Sequence, residues 1–161
     1  MKYRLFLFLI FVVGTCFLMS GCGGGSPVKT APVREINQPI AFLDDYVAGL
    51  EVARQERKPT LIFFSVPENT GSQRMMETTF RDDEIKRLTE WLVCIQVDGS
   101  QDLGLCESLK ISSFPTIILS NANGTEIRRL VGRQTADQLA VQIHSLLQAV
   151  ALRPQVVVMG R

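Results

Sequence analysis

The chain has 161 residues and a formal net charge of +1, with 17 lysines and arginines against 16 aspartates and glutamates. This length is typical of one domain with extensions. The balanced charge excludes the strongly basic surface that nucleic-acid-binding proteins use, so no nucleic-acid partner is predicted.

The N-terminal segment, MKYRLFLFLIFVVGTCFLMSGC, has the pattern of a secretory signal. Lys2 and Arg4 provide its positive start. The apolar run at residues 5–19 is shorter than the stretch of about 20 residues that a membrane-spanning helix needs. Residues 1–21 are therefore predicted to be a signal peptide, with an uncleaved N-terminal anchor helix as the alternative.

The end of this segment, LMSGC, resembles the lipobox of bacterial lipoproteins. In that family the cysteine is acylated and becomes the first residue of the mature chain. The small residues Ser20 and Gly21 precede Cys22, while Met19 replaces the usual leucine. The resemblance implies a lipid anchor at Cys22 and a place in the bacterial cell envelope, facing the periplasm or the outside. The alternative is an ordinary secretory cleavage site with a chance cysteine.

Three segments follow the predicted signal. Residues 22–39 are rich in Gly, Pro and Ser, which is typical of a flexible linker. Residues 40–152 are predicted to form the folded domain, and their number, about 110, is enough for a single stable core. Residues 153–161 are predicted to be a loose tail.

The patterns of the domain predict a series of helices and strands. Apolar spacings of three and four indicate helices, uninterrupted apolar runs indicate buried strands, and Asn123–Gly124 indicates a hairpin turn. In chain order the predicted elements are a helix within 40–58 that includes Phe42 and Leu43, a strand at 60–65, a helical stretch at 70–90, a strand at 92–97, a short helix at 101–110, a hairpin of strands at 116–120 and 126–131, and a helix at 135–152.

Local signals refine two of these helices. Asp82 can cap a new helix where the stretch at 70–90 is expected to break. Thr135 and Gln138 have capping-box spacing at the start of the last helix. Right-handed parallel crossovers between the strands then give an α/β fold, a mixed four-stranded sheet with helices on both faces and a C-terminal hairpin plus helix.

Three short motifs stand where the chain turns: MMETTF after the first strand, VDGSQD at the end of the second, and FPT before the hairpin. With the order of elements they resemble thioredoxin-like proteins of the branch with the pattern W-C-x-x-C-x-x-M, over residues 42–147. In that family the proline at the position of Pro115 is cis, lies against the active-site turn and holds a substrate backbone extended. The resemblance implies a thioredoxin-like fold with a peptide groove beside Phe114, Pro115 and Thr116.

Aligning the chain with this family places the family's redox residues on a turn that lacks them. With Met75 on the family methionine, Glu68 replaces Trp, and Asn69 and Ser72 replace the two cysteines. The turn comprises Glu68, Asn69, Thr70, Gly71 and Ser72. Disulfide exchange needs a thiolate, which Asn and Ser do not supply, so no catalytic residue is predicted here.

The turn is nevertheless expected to keep its shape. Asn69 is a favourable N-cap, and Thr70 with Gln73 has capping-box spacing, so either can start the following helix. We therefore predict a membrane-tethered, redox-inactive module that binds an unknown protein or peptide, with Asn69 and Ser72 offering hydrogen bonds in the groove. No cofactor and no metal site are predicted.

Cys94 and Cys106 are the cysteines within the predicted domain. Because the predicted compartment is oxidising, the two cysteines could form a disulfide. The alternative is that both are small buried side chains that do not pair. The alternative function is a thiol–disulfide oxidoreductase that uses Cys94 or Cys106, or that accepts a cysteine from a partner.

Overall fold

The computed structural model describes residues 39–152. The predicted signal peptide, Cys22, the linker up to residue 38 and the predicted tail lie outside the described residues. Within 39–152, no helix is long and apolar enough to cross a membrane. The elements are β1 (Phe42–Leu43), α1 (Tyr46–Glu56), β2 (Thr60–Ser65), α2 (Thr70–Glu77), a 3₁₀ turn (Thr79–Arg81), α3 (Asp83–Thr89), β3 (Val93–Asp98), α4 (Leu103–Ser108), β4 (Thr116–Ser120), β5 (Glu126–Val131) and α5 (Ala136–Ala151).

The strands form one mixed sheet in the order β1-β3-β2-β4-β5. β1, β3 and β2 are parallel, whereas β4 is antiparallel to β2 and β5 is antiparallel to β4. Every residue of β2 is buried, as its continuous apolar run predicts for a central strand. Alternate β2 side chains face opposite sides, so Phe63 belongs to the core under α2, α3 and α5 and Phe64 to the core under α1 and α4.

The sheet has five strands rather than the predicted four. Phe42 and Leu43, predicted to lie in the first helix, form the edge strand β1, with Phe42 opposite Cys94. Asp45 caps the next helix by accepting a backbone hydrogen bond at 2.8 Å, so α1 starts only at Tyr46. Apolar spacing did not separate the two elements, because Phe42 and Leu43 lie three or four residues before Tyr46 or Val47 and so continue the helical pattern.

Other predicted boundaries are confirmed where a local signal defines them. The two hairpin strands have the predicted bounds. The stretch at 70–90 breaks as expected, and Asp82 caps α3 by accepting two backbone hydrogen bonds. The Thr135–Gln138 capping box is formed at the start of α5.

The parallel strands give the domain two distinct ends. β2 and β3 end, and β4 begins, at what we call the turn end, because Ser65 lies opposite Asp98 and Phe64 opposite Thr116. The turn end comprises residues 68–72, Pro115, Val131 and Gly132. The opposite end, which we call the entry end, comprises Pro39, residues 57–59, Trp91, the hairpin loop at 121–125 and Leu152.

Candidate functional site

Asn69 initiates the helix that follows the degenerate turn. Its side-chain Oδ1 accepts a hydrogen bond from the Ser72 backbone N–H at 2.9 Å and lies 3.3 Å from the Ser72 hydroxyl, which donates to it. Its own carbonyl accepts from the Gln73 N–H at 3.0 Å, which is the first bond of α2. Of the two caps that the sequence leaves open, Asn69 is therefore the one formed.

Gln73 has a different role from the one that its spacing suggests. Its side-chain amide donates to the carbonyl of Pro67 at 2.7 Å, across the turn rather than back to a cap residue. This bond ties the first turn of α2 to the segment that leaves β2. Together with the Asn69 cap, it fixes the path of the chain between the strand and the helix.

Asn69 also connects the turn to the segment before β4. Its side-chain amide donates to the carbonyl of Phe114 at 3.2 Å. The Phe114–Pro115 peptide bond is cis, which confirms the expectation from the FPT motif. A Cβ placed on Gly71 would lie only 3.0 Å from Pro115 Cδ, so the turn lies directly against the proline.

Phe114 is held from a second side through its ring. A Cβ on Gly99, just after β3, would collide with two carbon atoms of that ring, so only a glycine leaves room for it. The ring packs against the core under α1 and α4. Asn69 on its carbonyl and Gly99 against its ring therefore position the residue that precedes the cis bond.

The side chains at the turn end differ in how accessible they are to a ligand. Ser72 is only 3% exposed, and the polar groups of Asn69 are engaged within the domain. Both side chains are thus bonded within the domain, and the expectation that they offer hydrogen bonds to a ligand stays a prediction. The exposed side chains are Glu68, Thr70 and Val131, the last 60% exposed.

Val131 belongs to the proline's immediate surroundings. It ends β5 opposite Thr116, the residue after Pro115. The following Gly132 donates its backbone N–H to the Pro115 carbonyl at 2.8 Å. The exposed side chain of Val131 therefore lies on the strand next to the one that follows the cis-proline. Pro115 itself is buried.

A cleft of about 320 Å³ opens on the other side of the first turn of α2. Its lining is mixed: polar or acidic residues, among them Gln73, Gln96 and Asp98, alternate with the apolar residues Val66 and Met76. No thiol lines this cleft. Within residues 39–152, no group of three or more His, Cys, Asp or Glu side chains could hold a metal ion.

Cys94 and Cys106 are both free, so the disulfide left open by the sequence is not formed. The reason is topological. Cys94 projects into the core under α2, α3 and α5, and Cys106 into the core on the opposite face of the sheet. Cys106 lies nearer the site than any local sequence pattern indicates, since its sulfur and the Phe114 ring both approach the space beside Gly99.

Neither thiol has the surroundings of a nucleophile. Burial raises the pKa of Cys94 to about 12. Burial, followed by the negative charges of Asp102 and Asp98, raises the pKa of Cys106. Both side chains therefore remain protonated at neutral pH, whereas disulfide exchange requires the thiolate.

Comparisons with known proteins agree with this fold. The sequence profile of the family described as thioredoxin-like domain matches residues 47–146. The chain is 27% identical over 130 residues to the thiol:disulfide interchange protein DsbD of Cronobacter sakazakii, an alignment that covers 77% of this chain and 22% of that protein. The chain therefore spans about a fifth of the length of this relative.

Solved structures show the same fold at low identity. A thioredoxin from Thermus thermophilus superposes with a TM-score of 0.61 at 18% identity, covering 67% of this chain and 88% of that one. The C-terminal domain of Neisseria meningitidis DsbD, in the oxidised form, gives a TM-score of 0.57 at 18% identity, covering 65% and 98%. The chain belongs to the thioredoxin-like domain family.

Proposed function

We propose that this protein is a redox-inactive thioredoxin-like module, tethered to a membrane through Cys22, which binds a protein or peptide at its turn end. The observation that carries the proposal is the bonding of Asn69. At the position where the family has its nucleophilic thiolate, this side chain caps α2 and holds the Phe114 carbonyl. The turn thus keeps its architecture with a group that has no redox chemistry.

The preserved surroundings of the cis-proline support a binding role. Asn69, Gly71 and Gly99 all act to position Phe114 and Pro115. Beside them, the exposed Val131 offers an apolar contact to a partner. We therefore place the contact surface on Val131 and the exposed residues Glu68 and Thr70, rather than on the engaged amide of Asn69.

A thiol–disulfide oxidoreductase is the second candidate. The similarity to DsbD favours it, since that relative is by name a thiol:disulfide interchange protein. In this chain the reaction would have to use Cys94, Cys106 or a cysteine of a partner. Burial and the raised pKa of both thiols oppose the first two routes.

Reduction of a small disulfide substrate by the purified protein separates the two candidates. We expect background rates for the unaltered protein and for the double variant Cys94→Ala, Cys106→Ala. Activity that the double variant loses would support the second candidate. Activity that survives in the double variant would overturn the assignment of an inactive turn.

The binding surface has its own test, with a control of equal exposure. A photo-crosslinking amino acid is introduced at Val131, or at Val141 on α5, since both side chains are 60% exposed. We expect a crosslinked partner from position 131 and not from position 141. The adduct should weaken in Asn69→Ala, which releases the Phe114 carbonyl. Equal crosslinking at both positions, or none at 131, would contradict the proposal.

A further inference from the structure

The entry end carries the only tryptophan of the chain, and that side chain is exposed. Trp91 lies between α3 and β3 and is 65% exposed, although its neighbour Leu92 is buried. An indole combines a large apolar ring with one polar N–H, which is why tryptophan is enriched at membrane–water interfaces. The fold does not use this ring in its core.

Two arginines without an ion pair lie at or next to the same end. Arg57 follows α1 in a left-handed conformation, with φ 55°, and Arg87 lies in the last turn of α3. Both are exposed, and neither takes part in any of the ion pairs within residues 39–152. Lys58 at this end is paired with Glu56 at 2.8 Å, and Glu90 is the carboxylate beside the tryptophan. The free guanidinium groups suit anionic headgroups.

The chain enters the domain at this end. Phe42 pairs with Cys94, the second residue of β3, so the preceding residues back to Pro39 run toward the start of β3 and Trp91. Pro39 lies 17 positions after Cys22, a distance along the chain that spans at most about 60 Å when fully extended. An anchor at Cys22 would keep the entry end near the bilayer, where a weak surface contact gains from high effective concentration.

We propose that the entry end is a membrane-facing surface, with Trp91 at the level of the lipid headgroups and Arg57 and Arg87 against anionic phospholipids. The turn end then points away from the bilayer, toward any partner. The occupant is lipid because the predicted anchor brings a bilayer to this end. The inference goes beyond the binding function and rests on the anchor at Cys22.

Trp91 is itself the probe for the test. The full chain, purified from bacterial membranes, is reconstituted in vesicles that contain brominated phosphatidylcholine, with or without phosphatidylglycerol. We expect bromine to quench Trp91 emission in the anionic vesicles, and high salt to relieve the quenching. Arg57→Gln and Arg87→Gln should each lower the ratio of surface-bound to free domain by about fivefold. Arg133→Gln, the same charge change next to the turn end, should leave the ratio unchanged.

A relocated tryptophan tests the orientation. The variant Trp91→Phe, Val131→Trp moves the probe to the turn end at a position of similar exposure. We expect its emission to be unquenched. Equal quenching at both ends, or no quenching of Trp91 in anionic vesicles, would overturn the proposal. So would a chain that has an unmodified Cys22 and does not float with the vesicles. None of these three results would change the reductase or crosslinking outcomes that test the binding function.

Discussion

A redox site needs a sulfur atom and surroundings that stabilise its thiolate. The turn before α2 has only the surroundings, and the two buried cysteines have only the sulfur. At residues 69 and 72 the N-terminal N–H groups of α2 are available to lower the pKa of a thiol, yet the side chains are Asn and Ser. At Cys94 and Cys106 the sulfur is present, but burial raises the pKa of both thiols. A cysteine therefore supplies reactivity only where the fold stabilises its thiolate, and in this domain the two conditions do not coincide.

The largest expected effect comes from bringing sulfur to the turn. The Asn69 Oδ1 and Ser72 Oγ atoms are 3.3 Å apart, so two cysteines at these positions would face each other. At neutral pH about 3% of an ordinary cysteine is thiolate, and about half if the helix start lowers its pKa to near 7. We expect Asn69→Cys, Ser72→Cys to form a disulfide, visible by mass, and to raise disulfide reduction from background to a measurable rate.

Substitution of Glu68 should change the rate of disulfide reduction by this double variant. Its exposed carboxylate directly precedes the first cysteine position, and a negative charge there opposes the thiolate. Adding Glu68→Gln to the double variant should raise the rate further, while Glu68→Gln alone should remain at background. A folded double variant that forms no disulfide would show that the turn does not keep the geometry that exchange requires.

Local signals predicted most of the fold, and tertiary contacts account for what they missed. The Asn123–Gly124 turn and the Thr135–Gln138 capping box act within a few residues, so the hairpin and α5 were predicted correctly. The strand at Phe42 was missed because its pairing partner, Cys94, is far along the chain. The bond from Asn69 to the Phe114 carbonyl spans 45 positions and leaves no local pattern.

The packing of Phe114 can be broken without touching the turn. Gly99→Ala places a methyl group into the Phe114 ring, so the ring must move, and we expect a loss of about 1–3 kcal/mol in the free energy of unfolding. Gly104→Ala is the matched control, because a Cβ there meets nothing within 4 Å. In the helix α4 this change should stabilise by about 0.5–1 kcal/mol. Urea unfolding measures both, and equal effects would contradict the tight contact.

The two roles of Asn69 can be separated by substitution. Asn69→Ala removes the cap and the bond to the Phe114 carbonyl, and should lower the free energy of unfolding by about 1–2 kcal/mol. Asn69→Asp keeps an acceptor for the cap but loses the donor, so its loss should be smaller. Asp45→Ala, which removes a cap without a tertiary bond, is the control. Thermal unfolding that is equal for Asn69→Ala and Asp45→Ala would show that the bond to Phe114 adds nothing.

The smallest expected effect lies on the edge strand, away from both thiols and turn. The hydrogen bond from Arg129 at 2.7 Å, and then its charge, lower the pKa of Glu126 from its ordinary value of 4.5. A lowered native pKa means that the pair contributes fully above pH 4.5 and less as the pH falls through that native pKa. Because the pair is partly exposed, Glu126→Gln should cost only about 0.5 kcal/mol at pH 7.

Arg129 makes hydrogen bonds beyond its pair with Glu126, and its substitution therefore serves as the control. The guanidinium also donates to the carbonyls of Leu109 and Lys110, so it joins β5 to the end of α4. Arg129→Gln should therefore cost more than Glu126→Gln and should keep part of its effect at low pH, because those carbonyl bonds do not titrate. Urea unfolding at pH 7 and pH 3 measures the difference. A cost of Glu126→Gln that is equal at both values would assign its effect to packing rather than to charge.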